Sequence, residues 1–231
     1  MMRTSAAMLI TGFFITTVFA ADDLEKLRDR QDRPALTQSA AALAAAAEKS
    51  PNDAGGWYRA AMAESLVAEV AMELNDKAGS QKAAEEGATY IEKAIALNAA
   101  NADYYRVLGT LCGQVIPANP IMGALTYGRR AKDALDKAIE MDPKSPRAFL
   151  AHGVGYYYLP TNFGGGPENA MKDFRQALAL DPKSAEAWLW IGIAERKLKK
   201  NAEAREAFMK SLQLDPGRLW TKAMLDKTPP Q

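Results

Sequence analysis

The chain contains one cysteine and one histidine among 231 residues. That scarcity excludes a disulfide framework and a Cys/His zinc cluster, which gathers about four such ligands at one point. Nucleophilic chemistry of the cysteine–histidine kind survives only if Cys112 and His152 meet. Net charge is also nearly absent, with 29 Lys and Arg against 28 Asp and Glu. No basic field is therefore available to gather nucleic acid or anionic lipid. What remains is 48% hydrophobic, 25% charged and 8% aromatic, the composition of a folded chain with a core rather than of a disordered or collagen-like one.

Residues 1–20 stand apart. Arg3 precedes an apolar run from Met8 to Phe19, and Val18-Phe19-Ala20 offers a small-residue cleavage site before Ala21. This is the pattern of a secretory signal, too short and too dotted with Thr for a permanent membrane span. Cleavage after Ala20 leaves no cysteine for lipid attachment and removes only Arg3 from the charge balance. The expectation is an exported, soluble, periplasmic protein, not stably inserted in a membrane.

From residue 52 onward the sequence repeats. Asp-Pro recurs at Asp142-Pro143, Asp181-Pro182 and Asp215-Pro216, each closing an apolar helical run, and Asn98-Ala99 fills the same slot in degenerate form. The last unit, Pro182 to Pro216, is 34 residues long. In it Trp188, Ile191, Gly192, Glu195, Ala204, Phe208, Ser211 and Pro216 fall at a fixed spacing, and the units before it supply Phe149, Gly153, Ala170 and Phe174, then Tyr105, Gly109, Ala131 and Leu135, then Trp57, Ala61, Gly87 and Ile91. This spacing resembles the tetratricopeptide repeat, whose consensus is Trp, Leu, Gly, Tyr, Ala, Phe, Ala, Pro, with Glu195 and Ser211 departing from it.

The resemblance implies an all-α, right-handed superhelix of four helical hairpins with flanking single helices. The expected units are 52–99, 100–143, 144–182 and 183–216. They are preceded by a signal (1–20) and a segment with one helix (21–51), and followed by a capping helix and tail (217–231). Small residues let the two helices of a hairpin approach closely while aromatic side chains fill the space between hairpins.

The spacing from the Gly position to the Ala position is 12 residues in the last unit and grows backward to 17, 22 and 26. The extra residues all fall at the hairpin tips, on one edge of the solenoid. In the first unit they keep helical composition. In 113–130 and 159–169 they carry Pro117, Pro120, Gly123, Pro160, Gly164, Gly165, Gly166 and Pro167 and read as ordered loops or lids. The apolar residues Ile116, Ile121, Met122, Leu125 and Tyr127 pack either down onto the solenoid or against a partner, and packing within the chain is the reading adopted. The 160–170 segment reads as a tight turn with Pro167 opening the next helix, rather than as a phosphate cradle, since no Gly-Lys-Ser/Thr follows. It resembles the Phe-Gly-Gly insertion of some bacterial periplasmic tetratricopeptide proteins and of relatives of the microtubule-dynamics regulator family.

Proteins with this repeat bind extended peptides on their concave face, and the resemblance places Tyr58, Met62, Arg106, Thr110, Gln114, Leu150, Tyr157, Tyr158, Arg196 and Lys197 there. Aromatic rings and Met beside Arg and amide donors suit an apolar or amphipathic segment. The Lys and Asn set that clamps a carboxylate in chaperone-binding members is missing. The expected function is an exported scaffold that binds a protein or peptide, with no catalytic residue, metal or cofactor. The alternative is an accessory subunit of a periplasmic transport system, resembling the tetratricopeptide component of TRAP transporters, that holds a small hydrophobic ligand. His152 and Cys112 are expected in core slots, the histidine neutral and buried and the cysteine inert.

Overall fold

The computed structural model describes residues 21–118 and 120–230, so the signal segment lies outside the described residues. It is all-helical. Helices α1 (Ala21–Asp29) and α2 (Arg33–Lys49) lead into α3 (Ala54–Glu73) and α4 (Lys77–Leu97), the first hairpin. The second pairs α5 (Ala102–Val115) with α7 (Arg129–Met141), and between them lie a 3-10 turn at 116–118 and the short α6 (Pro120–Gly123). The third pairs α8 (Pro146–Tyr158) with α9 (Pro167–Leu180), the fourth α10 (Ala185–Lys197) with α11 (Asn201–Leu214), and α12 (Leu219–Asp226) covers the last. Successive hairpins stack into the tetratricopeptide superhelix. The segment 21–51 holds two helices rather than one, because Leu24 and Leu27 of α1 bury themselves in the core of the first hairpin.

The repeated turn has one local chemistry. Oδ1 of Asp142, Asp181 and Asp215 accepts a hydrogen bond from the backbone N–H two residues on, at 3.0–3.1 Å, and Asn98 does the same in the degenerate slot. Ser145 and Ser184 then cap the next helix by accepting from the N–H of Ala148 and Ala187. Each cap is worth about 1 kcal/mol. The turn that separates hairpins is thus written in the side chains around each proline.

The tips depart from expectation in two places. Residues 113–130 do not form an irregular loop: α5 continues to Val115, and α6 runs through a π-helical turn at 124–128 directly into α7. The inserted residues are taken up by the 3-10 turn, α6 and the π turn, and the π turn passes into α7 without ending the helix. Nor do its apolar residues all pack inward. Tyr127 joins the core of the first two hairpins, but Ile121 and Leu125 are 75% and 74% exposed. Leu125 lines a shallow groove of about 600 Å³ together with Tyr105, Leu108, Arg129, Arg130 and Lys137. The 159–166 tip is a loop, in which Gly164 and Gly166 take positive φ values of 83° and 102° that only glycine adopts without strain. Its amides point inward: those of Gly164, Gly165 and Gly166 donate to the carbonyls of Thr161, Pro160 and Tyr156. That occupies the donors an anion cradle needs.

Candidate functional site

The concave face is lined by α3, α5, α8 and α10, and its two halves differ. In the N-terminal half, polar side chains from α3 and α5 are tied to one another. The Tyr58 hydroxyl donates to Asp103 Oδ2 at 2.6 Å, and Arg106 donates to both oxygens of Asp103 and to Met62 Sδ at 3.4 Å. Burial, followed by the Asp103 carboxylate, pushes the Tyr58 phenol up to about 12. Burial alone raises Asp103, but the Arg106 hydrogen bonds and charge outweigh it and hold the carboxyl below its ordinary value. Farther along α5, Gln114 Nε2 donates to the Ser65 carbonyl at 3.0 Å, and its Oε1 accepts from Ser65 Oγ at 3.3 Å. The Thr110 hydroxyl donates to the carbonyl of Arg106. Tyr58, Met62, Arg106 and Gln114 therefore form an internal seam between the first two hairpins.

The C-terminal half is aromatic and more open. Tyr157 and Tyr158, at the end of α8, meet Trp190 of α10 with ring centroids 5.8 and 6.1 Å away, and Trp190 meets Trp220 of α12 at 5.6 Å. Tyr158 is 53% exposed. The Lys197 ammonium sits 4.3 Å over the Tyr157 ring and donates to the Tyr157 carbonyl at 3.4 Å. Leu150 packs half-buried near the foot of this cluster, while Arg196 is half-buried at the end of α10. Edge-to-face rings of this kind are rigid and present both apolar faces and polar edges to a guest. Sequence reasoning missed Trp190 and Trp220. Trp190 lies one residue past the inward slot of Leu189, which is itself buried, and Trp220 lies outside the repeats.

Between the halves stands a network of charges that no local pattern announced. Arg218, in the link to α12, is 1% exposed. It donates to both oxygens of Glu73 at 2.5 and 3.2 Å, to Glu69 at 2.7 Å and to Glu186 at 2.8 Å. Arg28 of α1 lies 3.1 Å from Glu186 and 2.6 Å from Asp29, and Gln31 donates to Glu73 at 2.9 Å. The first hairpin and the last are joined across the concave face. Two guanidinium groups face four carboxylates, and burial pushes Glu69 up to about 7 and raises Asp29 and Glu73. Burial also disfavours ionised Glu186, but Arg28 and Arg218 overcome it and lower its pKa.

His152 and Cys112 offer no paired nucleophile. The Cys112 thiol is fully buried in α5 and pushed up to about 12 by that burial. His152 is not the neutral core residue expected. Its Nδ1 lies 2.9 Å from Asp173 on α9 and its Nε2 3.1 Å from Asp136 on α7. Burial lowers its pKa, but the hydrogen bonds and charges of the two aspartates win, and the net direction is upward, toward imidazolium. Among the described residues there is no group of three or more His, Cys, Asp or Glu placed to hold a metal, and no helix long and apolar enough to cross a membrane.

With this geometry in hand, comparison with known proteins gives the lineage. Residues 20–159, the part that carries the internal seam and all of α8, match the family described as Regulator of microtubule dynamics protein 1-3. The chain belongs to that family. Farther along this family member, residues 164–218 match the tetratricopeptide repeat itself. Regulator of microtubule dynamics protein 3 of Bos taurus is 26% identical over 173 residues, covering 68% of this chain and 36% of that protein. Small glutamine-rich tetratricopeptide repeat-containing protein 2 of Mycosarcoma maydis is 34% identical over 98 residues, covering 42% of this chain and 26% of that protein. The chain therefore spans little more than a third, or less, of the length of these curated relatives. In fold, the family member is similar to a thermophilic tetratricopeptide protein of Thermus thermophilus (TM-score 0.58, 16% identity, 87% of this chain and 97% of that one). It is also similar to the HusA haemophore of Porphyromonas gingivalis (TM-score 0.56, 18% identity, 75% and 94%).

Proposed function

We propose that this chain is an exported, non-catalytic interaction module, and that it binds an apolar segment of a partner protein at the C-terminal end of its concave groove. The observation that carries this reading is the division of the groove. Tyr58, Met62, Arg106 and Gln114 engage their polar groups with one another and with Asp103 and Ser65, whereas Tyr157, Tyr158 and Trp190 form an aromatic wall with Tyr158 about half exposed and Lys197 at its edge. Buried aromatic anchors ringed by polar groups carry most of the affinity in protein interfaces. Lys197 and the half-buried Arg196 favour a segment that carries acidic residues beside its apolar ones.

The test is co-purification from cells under native conditions. Tyr158→Ala combined with Lys197→Glu changes exposed groups, so the fold stays intact by circular dichroism while the captured partner drops at least tenfold. Full retention of the partner by this variant sinks the proposal. If a fatty acid or another small apolar ligand raises the melting temperature of the wild type and no protein partner is captured, the transport-accessory reading replaces it.

Export is the second half of the proposal and rests on the sequence of residues 1–20. N-terminal sequencing of the protein from the extracytoplasmic fraction is expected to start at Ala21. Recovery of the chain only in the cytosol, with Met1 or Met2 retained, contradicts it.

A further inference from the structure

We propose that the charge network around Arg218 is a latch that holds the two ends of the superhelix together across the concave face, and that the groove opens by its release. The proposal rests on the groove-binding reading only for its purpose; the latch itself is a property of the isolated chain.

Three features of the network argue for a latch rather than for ordinary core. It joins residues far apart in sequence: Arg218 reaches Glu73 and Glu69 across 145 and 149 residues, with α1 supplying Arg28 and Asp29 from one end and α10 supplying Glu186 from the other. The groups that meet are nearly all ionised, two guanidinium groups and four carboxylates in one cluster, whereas the polar contacts between neighbouring hairpins, Tyr58 with Asp103 and His152 with Asp136, are single links set beside apolar cores. A buried contact made of charges is a poor source of net stability and a good source of conditional structure, because removing or adding one charge leaves others uncompensated in a poorly solvated site. Finally, the charges do not balance. Asp29, Glu69, Glu73 and Glu186 oppose only Arg28 and Arg218, with Asp215 adding further negative potential at Asp29. The neighbours that face the cluster without charge are Gln31, which donates to Glu73, and the Trp220 ring, 5.4 Å from the Arg218 guanidinium.

The imbalance gives the latch a direction. While Glu69 holds its proton, three carboxylates rather than four oppose the two guanidinium groups, the imbalance is smallest and the ends stay closed. As pH rises through about 7, Glu69 ionises, the excess negative charge grows, and closure weakens. Because Trp220 belongs both to this cluster and to the aromatic wall with Trp190, release of Arg218 also frees that wall.

The ends can be followed directly. In a Cys112→Ala background, spin labels are placed at Lys26→Cys on α1 and Lys222→Cys on α12, both on the solvent side of their helices, and the inter-label distance is measured at pH 6 and pH 8.5. The expected result is one narrow distance at pH 6 and a longer, broader distribution at pH 8.5. Arg218→Gln is expected to show the long distribution at both pH values with unchanged helix content. Glu69→Gln, which keeps the shape of the side chain and deletes one negative charge, is expected to stay closed at pH 8.5, and it decides the matter should Arg218→Gln fail to fold. A distance that is the same at both pH values in the wild type, or opening at pH 8.5 that persists in Glu69→Gln, overturns the proposal. No partner is present in this measurement, so loss of the latch and loss of groove binding are separately visible.

Discussion

Two glycine-to-alanine substitutions are expected to move stability in opposite directions. Gly192 lies in α10 where the helix crosses α11, and a Cβ there falls 2.5 Å from Cε1 and 2.6 Å from Cδ1 of Phe208. Phe208 is completely buried, so its ring has no solvent to retreat into. Overpacking of this kind costs about 1–3 kcal/mol. Alanine returns up to about 1 kcal/mol through its better helix propensity, and the net expectation for Gly192→Ala is a loss of about 1–2 kcal/mol. Gly113 is also helical, in α5, but nothing stands within 4 Å of the Cβ that would be added. There only the propensity gain operates, so Gly113→Ala is expected to stabilise by a few tenths to about 1 kcal/mol. For a chain of this size about 1 kcal/mol corresponds to roughly 2–4 °C in Tm. Thermal melts followed by circular dichroism should therefore show Gly192→Ala melting below wild type and Gly113→Ala at or above it. If the two variants shift together, in sign and size, the helix crossing is not held by the close approach of Gly192 to Phe208 and the repeat register is wrong.

Three further outcomes follow from particular groups. The raised His152 pKa stabilises the fold fully below the unfolded value of about 6.5, and that contribution is lost as pH rises through the folded value. Urea midpoints should therefore fall between about pH 6 and pH 9 by more in wild type than in Asp173→Asn; equal falls contradict the bridge. Cys112, buried and with its thiol pushed up to about 12, should resist thiol reagents until the protein unfolds, and rapid labelling of the native protein at neutral pH refutes its placement. Ile121→Glu and Leu125→Glu alter side chains that stand in solvent, so each should change stability by no more than about 0.5 kcal/mol. A larger loss measured in urea means those residues pack inward after all.

The hairpins were legible because each is specified locally and the specification repeats. Gly192 and Gly153 mark where helices touch, and both face the ring of the aromatic residue on the next helix, Phe208 and Phe174. Asp142-Pro143 and Asp181-Pro182 mark where the chain turns. Helical geometry and the repeat register read Tyr157 and Tyr158 as inward-facing, and in the structure both rings lie against Trp190, which that register does not point to. The insertion at 113–130 misled because Pro120 and Gly123 look like helix breakers, yet Pro is tolerated at the start of a helix and Gly123 sits where a Cβ would strike the Ile116 backbone at 2.8 Å. The Arg218 network left no trace in any window of sequence. Glu69 and Glu73 lie one helical turn apart on α3, a spacing found on any solvated helix, and only the superhelical curvature brings Arg218 onto them. His152 was misread for a related reason: its slot in the repeat predicts burial, while its partners, Asp136 and Asp173, belong to two other helices.

Entry of partners at the aromatic end of the concave groove is tested most directly by site-specific photo-cross-linking in intact cells. A photoreactive phenylalanine analogue at Tyr158 reports on the aromatic wall, and the same analogue at Met209, exposed on α11, serves as the control. A discrete cross-linked partner is expected from Tyr158 that the Met209 position does not give. Cross-links of equal yield to the same protein from Met209, or none from Tyr158 while Met209 captures one, contradict binding at that end of the groove.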